Sequence, residues 1–140
     1  MEKNKQGDLL VVRFADGEDL MGGIEKVLTE EGIFSGIILG GVGMVKNAAL
    51  SFYIGHGEYE SVPLAEEAEL CSLNGNISTL DGELVIHAHA VVGKRDGGAL
   101  AGHVSGAQVH MTAEVAVLAT PQKLTRKLDS QTGLKTLTLG

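Results

Sequence analysis

The chain has 140 residues, of which 44% are hydrophobic and 21% are charged. This composition is ordinary for one globular domain of a size that buries about 70% of its unfolded surface. The formal net charge of −7 argues against an unaided, non-specific grip on DNA or on an anionic membrane.

Cysteine content and apolar run length give further expectations. The single cysteine, Cys71, excludes an internal disulfide framework and favours a reducing, cytoplasmic location. No long apolar stretch follows the N-terminal residues, so no signal peptide is predicted. No apolar run approaches the roughly 18 residues of a membrane span, and we expect no membrane partner.

The N-terminal part of the chain predicts one strand and then the main helix. Residues 8–14 are apolar and β-branched, which is typical of a strand. Apolar residues then recur at helical spacing at Leu20, Met21, Ile24, Val27 and Leu28. Asp19 suits the start of this helix and Gly32 its end. Gly22-Gly23 is unexpected inside it, because each glycine costs about 1 kcal/mol against alanine, and close packing against a sheet would explain the pair.

After the helix the pattern changes to a series of strands. Strands are predicted over residues 33–39, 47–54, 58–63, 68–79, 83–92 and 109–119, with a last one near Leu134–Leu139. Residues 74–76 indicate a bulge or a bend. One helix against many antiparallel strands predicts an α+β fold, a mostly antiparallel sheet packed against one main helix. We expect a single domain over residues 1–140, with a core of about 8–119 and a C-terminal extension, 120–140.

The glycine-rich segment Gly40-Gly41-Val42-Gly43 invites comparison with a nucleotide-binding loop. The dinucleotide fingerprint needs G-x-G-x-x-G at the start of a helix, with an acidic residue about 20 positions later. A predicted strand, 47–54, follows here instead. The segment therefore favours a tight turn between two strands.

Three histidines are the most informative residues of the chain. His87 and His89 lie in the predicted strand 83–92, where alternation places them on one face and leaves the other face wholly apolar. His103 follows Gly102 on a short strand or loop. Two neutral imidazoles at i and i+2, with a third from the next strand, would form a three-nitrogen site for zinc or another divalent metal. A patch of histidines that binds nothing is the alternative.

A second polar group lies on the predicted strand 109–119, where His110, Thr112 and Glu114 share one face. Beside bound zinc, Glu114 would order a ligand, orient a water molecule or act as a catalytic base. A solvated polar face is the alternative for both His110 and Glu114. His56, between two glycines in a turn, is expected to be exposed.

The order of these motifs resembles the plants-and-prokaryotes conserved (PPC) domain family over about residues 8–119. The motifs are Gly17-Glu18-Asp19-Leu20, Gly40-Gly41-Val42-Gly43-Met44, Leu73-Asn74-Gly75-Asn76-Ile77-Ser78, His87-Ala88-His89, Gly102-His103-Val104 and Thr112-Ala113-Glu114-Val115. The resemblance implies a stand-alone prokaryotic α+β domain that assembles as a homotrimer. It also implies that His87, His89 and His103 bind zinc or another divalent metal.

Two functions follow as hypotheses. The first is a trimeric metal-binding domain with a small-molecule or catalytic site, in which Glu114 would be the base; whether the chain is an enzyme stays open. The alternative is a DNA-associated or regulatory module in which the metal is only structural. Plant members of the family carry an Arg-Gly-Arg-Pro segment for the DNA minor groove, and this chain has none. Its small basic clusters, without interleaved aromatic residues, are Lys94 with Arg95, and Lys123 with Arg126 and Lys127.

Overall fold

Nine strands and one helix make up the computed structural model, which describes residues 1–139. The strands are β1 (Glu2–Gln6), β2 (Leu9–Ala15), β3 (Gly36–Gly55), β4 (Glu58–Leu64), β5 (Ala68–Leu80), β6 (Glu83–Gly93), β7 (Ala99–Ala119), β8 (Thr125–Leu128) and β9 (Lys135–Thr138). The helix, α1, spans Leu20–Glu30. The architecture is a single α+β domain, as expected. Its sheet is mixed, because β8 pairs with β5 in parallel while the other pairs are antiparallel.

The boundaries of helix α1 agree with the prediction, and packing against the sheet explains one of its two glycines, Gly23. The Asp19 side chain caps the helix by accepting a hydrogen bond from the N–H of Gly22. A Cβ on Gly23 would lie 2.6 Å from Cε1 of Phe14, a buried residue of β2. The helix therefore packs too closely against the sheet for a larger residue at this position.

The glycine-rich segment does not form the predicted turn. It lies inside β3, a continuous strand in which the pairing with β7 shifts register between Ile38 and Gly40 and again between Gly43 and Met44. Gly43 has a φ of 144°, and a Cβ there would collide with the carbonyl oxygen of Thr112. The glycines permit bulges and close strand contact, which local sequence does not distinguish from a turn.

Two other strands are also longer than predicted. The segment around His103 and the predicted strand 109–119 are one strand, β7. Residues 74–76 run through β5 without a register shift, which occurs instead between Leu70 and Ser72. Gly75 instead allows two strands to pack closely, because a Cβ there would lie 2.9 Å from the Cα of Ala88 in the neighbouring strand. Neither β1 nor β8 was predicted, since both are short and polar.

Four strands close into a ring, and this ring positions the histidines. β3 pairs with β5, β5 with β6, β6 with β7, and β7 with β3. Ala88, Ala90 and Val92 of β6 belong to the buried core, so the alternating residues His87 and His89 lie on the opposite face of the strand. The β8–β9 hairpin joins this region through the pairing of Thr125 with Thr79. Within residues 1–139, no helix has the length and apolar character that crossing a membrane requires.

Candidate metal centre

The three histidines of the predicted site lie together on β6 and β7. His87 and His89 share the outer face of β6, as alternation predicts. His103 lies directly opposite His89 in the antiparallel pairing of β6 with β7. Side chains of directly opposed residues leave the sheet on the same side, with Cβ atoms about 4.5–5.5 Å apart. Strand pairing therefore brings the third imidazole to the other two.

The imidazole nitrogens are close enough for one ion. One nitrogen from each of the three histidines lies within 4.8 Å of the others. The ring centroids are 5.1 Å apart for His87 and His89, 5.3 Å for His87 and His103, and 5.6 Å for His89 and His103. Zinc binds imidazole nitrogen at about 2.0–2.1 Å, so small side-chain rotations suffice for all three to reach one ion.

The hydrogen bonding of His103 and the protonation states of His87 and His103 also fit the binding of a cation. Nδ1 of His103 is buried and has no hydrogen-bond partner among residues 1–139, an arrangement that costs about 1–3 kcal/mol. Burial, and to a smaller extent the charge of the nearby Arg126, lowers the pKa of His87 to about 4. Burial also lowers the pKa of His103. Both imidazoles are therefore neutral near pH 7, and the donor set suits zinc or another divalent ion.

The histidines line a pocket of about 1140 Å³ between the sheet and the C-terminal hairpin. An aromatic wall lies beside them: the ring centroid of Tyr59 is 5.2 Å from that of His103, and Tyr53 is 5.5 Å from Tyr59. The Tyr53 hydroxyl donates a hydrogen bond to the carbonyl of Thr132, in the turn between β8 and β9. This bond ties the hairpin to β3 across the pocket.

Arg126 of β8 is a pocket residue that the sequence analysis placed only in a small basic cluster. Its Nη2 donates to Oδ1 of Asn76 at 2.6 Å, and its Nε donates to Oγ of Ser78 at 2.8 Å. Asn76 lies directly opposite His87 in the pairing of β5 with β6. The guanidinium is thus held beside the histidines. No local sequence pattern links β8, a strand of four residues, to the histidines of β6 and β7.

The structure does not bring Glu114 to this pocket. Glu114 is exposed near the far end of β7, where it lies opposite Arg13 of β2 and Val42 of β3. It is absent from the described residues that line the pocket. The base predicted from the sequence therefore has no place beside the three histidines.

The remaining two histidines lie outside the cluster. His56 is exposed in its turn, as expected. His110 is neither free nor merely solvated, because its Nδ1 is 3.2 Å from Oδ1 of Asp16 and its Nε2 is 3.3 Å from Oε1 of Glu67. The sequence offered no indication of this cluster, since one carboxylate comes from the turn after β2 and the other from the loop between β4 and β5.

The chain is similar to a known family and to several solved structures. Residues 1–121 match the family model of the Plants and Prokaryotes Conserved (PCC) domain. The chain is similar to a candidate DNA-binding protein of Bacteroides thetaiotaomicron, at 27% identity over 99% of this chain and 96% of that one, with a TM-score of 0.93. It is also similar to a metal-containing protein of Archaeoglobus fulgidus, at 34% identity over 96% and 95%, with a TM-score of 0.86.

A curated relative is much longer than this chain. The bifunctional protein GlmU of Synechococcus sp. (strain JA-2-3B'a(2-13)) is 27% identical over 124 residues, which cover 87% of this chain. The chain spans only 18% of the length of that relative. The similarity therefore concerns one part of the larger protein.

Proposed function

The chain belongs to the Plants and Prokaryotes Conserved (PCC, also written PPC) domain family, and on this premise we propose that it binds a divalent metal through His87, His89 and His103. The observation that carries the proposal is the convergence of one nitrogen from each histidine within 4.8 Å. The unpaired, buried Nδ1 of His103 supports it. The 34%-identical Archaeoglobus protein, which contains metal, supports it as well. Zinc is the ion that three imidazoles suit best.

The pocket extends this proposal to a small-molecule ligand. Three histidines leave a fourth coordination position open, and an ion there would polarise a bound carbonyl or lower the pKa of water. The pocket of about 1140 Å³ is large enough for such a ligand, since ligand sites are typically about 300–1,000 Å³. The chain's own residues would bind and orient the ligand, and Glu114 has no part in this proposal.

Metal content is the first measurement. Untagged protein and the double variant His87→Ala/His89→Ala are purified, checked for folding by circular dichroism and assayed by elemental analysis. We expect close to one ion per chain in the wild type and none in the double variant. The matched control is His56→Asn, which removes an exposed imidazole and suits the positive φ of that turn residue; it should keep the ion. Failure of wild-type protein to take up zinc at neutral pH would disprove the proposal.

We also propose that the chain assembles as a homotrimer. Large apolar side chains on β3 are exposed in the single chain, with exposed fractions of 53% for Val42, 71% for Phe52 and 58% for Ile54. Exposed apolar groups of this kind are common at interfaces between copies. Light scattering after size-exclusion chromatography should give three times the mass of one chain. A mass equal to that of one chain would contradict the trimer.

A DNA-associated module, in which the metal is only structural, is the second candidate. The similar Bacteroides structure is a candidate DNA-binding protein, and this comparison favours DNA association more directly than small-molecule chemistry. The net charge of −7 opposes it. Genuine phosphate contacts make DNA affinity fall steeply between about 50 and 200 mM salt. A flat salt response, or no binding at the lower concentration, would exclude this function.

A further inference from the structure

Among the described residues, none that lines the pocket around the histidines is acidic, although the chain has 18 aspartates and glutamates against 11 lysines and arginines. Within residues 1–139, the charged residues that line it are Arg126 and Lys135. A divalent ion on the histidines would add two more positive charges. Repulsion among them is strengthened by the partly apolar walls. The pocket is therefore electropositive in an acidic protein, and it is suited to an anion.

Arg126 is oriented as an anion-recognising residue. Within residues 1–139, its three hydrogen bonds go to neutral acceptors: Asn76, Ser78 and the carbonyl of Lys135. Among residues 1–139 it forms no ion pair. A guanidinium has five N–H donors in a planar fork that matches a carboxylate. Within the described part of the chain, two donors thus remain without a partner, and the three bonds already hold the side chain in position.

The other walls of the pocket are apolar or aromatic. Tyr59 lies beside His103, and Tyr53 continues this wall on β3. Leu134 and Leu137 of the C-terminal hairpin also line the pocket. A fully polar anion would leave these surfaces in contact with water. They suit a ligand whose body is apolar.

We propose that this pocket binds a small carboxylate with an apolar or aromatic body, its carboxylate lying between Arg126 and the ion on the three histidines. The inference rests on the proposed metal site for its second contact. The contact with Arg126 stands without the ion. The C-terminal hairpin, which lies beyond the residues that match the family model, thereby supplies the selectivity of the site.

Titration calorimetry with benzoate tests the proposal on zinc-loaded, full-length protein. Benzamide has nearly the same shape without the charge, and we expect it to bind at least about tenfold more weakly, since hydrogen bonds to charged groups are the stronger ones. Arg126→Gln should lose at least about tenfold in benzoate affinity. The matched control Arg95→Gln removes an exposed arginine from the turn after β6 and should bind benzoate as the wild type does.

Separate readouts distinguish this proposal from the metal site. Arg126→Gln should keep the wild-type metal content, whereas His87→Ala/His89→Ala should lose it. Equal affinities for benzoate and benzamide on the wild type would overturn the proposal, even where Arg126→Gln fails to fold. So would unchanged benzoate affinity in folded Arg126→Gln, or no benzoate binding by the wild type. Equal benzoate affinity in metal-free and zinc-loaded protein would overturn the contact with the ion.

Discussion

The histidines of this chain occupy two regions with opposite electrostatic surroundings. In the pocket, His87, His89 and His103 face one another with an arginine nearby and no carboxylate among the described lining residues. At the other region, His110 lies between Asp16 and Glu67, one against each ring nitrogen. The first arrangement presents three imidazoles to a cation, and in the second a carboxylate oxygen lies within 3.3 Å of each ring nitrogen.

The difference arises from strand neighbours rather than from the histidines themselves. Across β5 the residues opposite His87 and His89 are the neutral Asn76 and Asn74. A neutral imidazole is the form that binds metal, and burial keeps His87 neutral near pH 7. The two carboxylates at His110 approach different ring nitrogens, on opposite sides of the imidazole. One ion therefore could not bind both carboxylates and a nitrogen of His110 together. Only the pocket histidines are therefore expected to hold a divalent metal.

The largest effect that tests this contrast is on metal affinity. His89→Ala should weaken zinc binding by more than about 100-fold, because even changes to groups that merely support ligands cost about 10–100-fold. His110→Ala should leave the affinity unchanged. Competition against a chelating dye measures both variants. Zinc occupancy that survives His89→Ala would show that the ligand set is wrong.

The second-largest effect is expected from a substitution at Gly75, where β5 passes close to β6. In Gly75→Ala the new Cβ would meet the backbone of β6 at His87 and Ala88, and overpacking of this kind typically costs about 1–3 kcal/mol. Gly40→Ala is the control, since a Cβ on Gly40 meets nothing within 4 Å. Urea unfolding measures the free energy of both variants. Equal midpoints would contradict the close approach of β5 to β6.

The two regions should also respond in different pH ranges. In metal-free protein the pKa of His87 falls from 6.5 to about 4 because of burial. Below pH 6.5, His87 binds a proton in the unfolded chain but stays unprotonated in the folded chain. The free energy of unfolding therefore falls as the pH decreases from 6.5 towards 4. The pKa of Asp16 is lowered by the N–H of Met111, and its stabilising contribution is lost only below about pH 3.8.

His87→Gln isolates the first of these pH ranges. The difference in urea midpoint between wild type and His87→Gln should change between pH 6.5 and pH 4 and stay level above pH 7. Other titrating groups are common to both proteins and cancel in the difference. A difference that is independent of pH would show that burial does not hold His87 neutral.

The smallest effect is expected at the contact between His110 and Glu67, whose side chain is 49% exposed. Glu67→Gln should change the free energy of unfolding by less than about 1 kcal/mol, because exposed pairs contribute little. About 1 M salt should remove most of this change by screening. Thermal unfolding at low and high salt measures it. A loss of zinc affinity in this variant would show that the two regions are coupled, which would contradict the contrast drawn between them.

Local periodicity explains which features could be predicted. The helical recurrence from Leu20 to Leu28 predicts α1, and the alternation through His87 and His89 predicts β6 with its two faces. Both patterns depend only on residues that are near one another in the chain. The turn predicted at glycines 40–43 is wrong, because a turn and a bulge need the same backbone freedom. Sequence alone does not show that β7 lies against them.

The sequence by itself determined the α+β class, the main helix and the histidine strand, because these follow from side-chain periods of 3.6 and 2 residues. Only the tertiary structure decided that His103 lies opposite His89, that Arg126 lies beside them and that Glu114 does not. Pairing register and the return of the C-terminal hairpin depend on contacts between distant segments. A shift of one residue turns a side chain to the other face of a sheet, so the site exists only once the strands have paired.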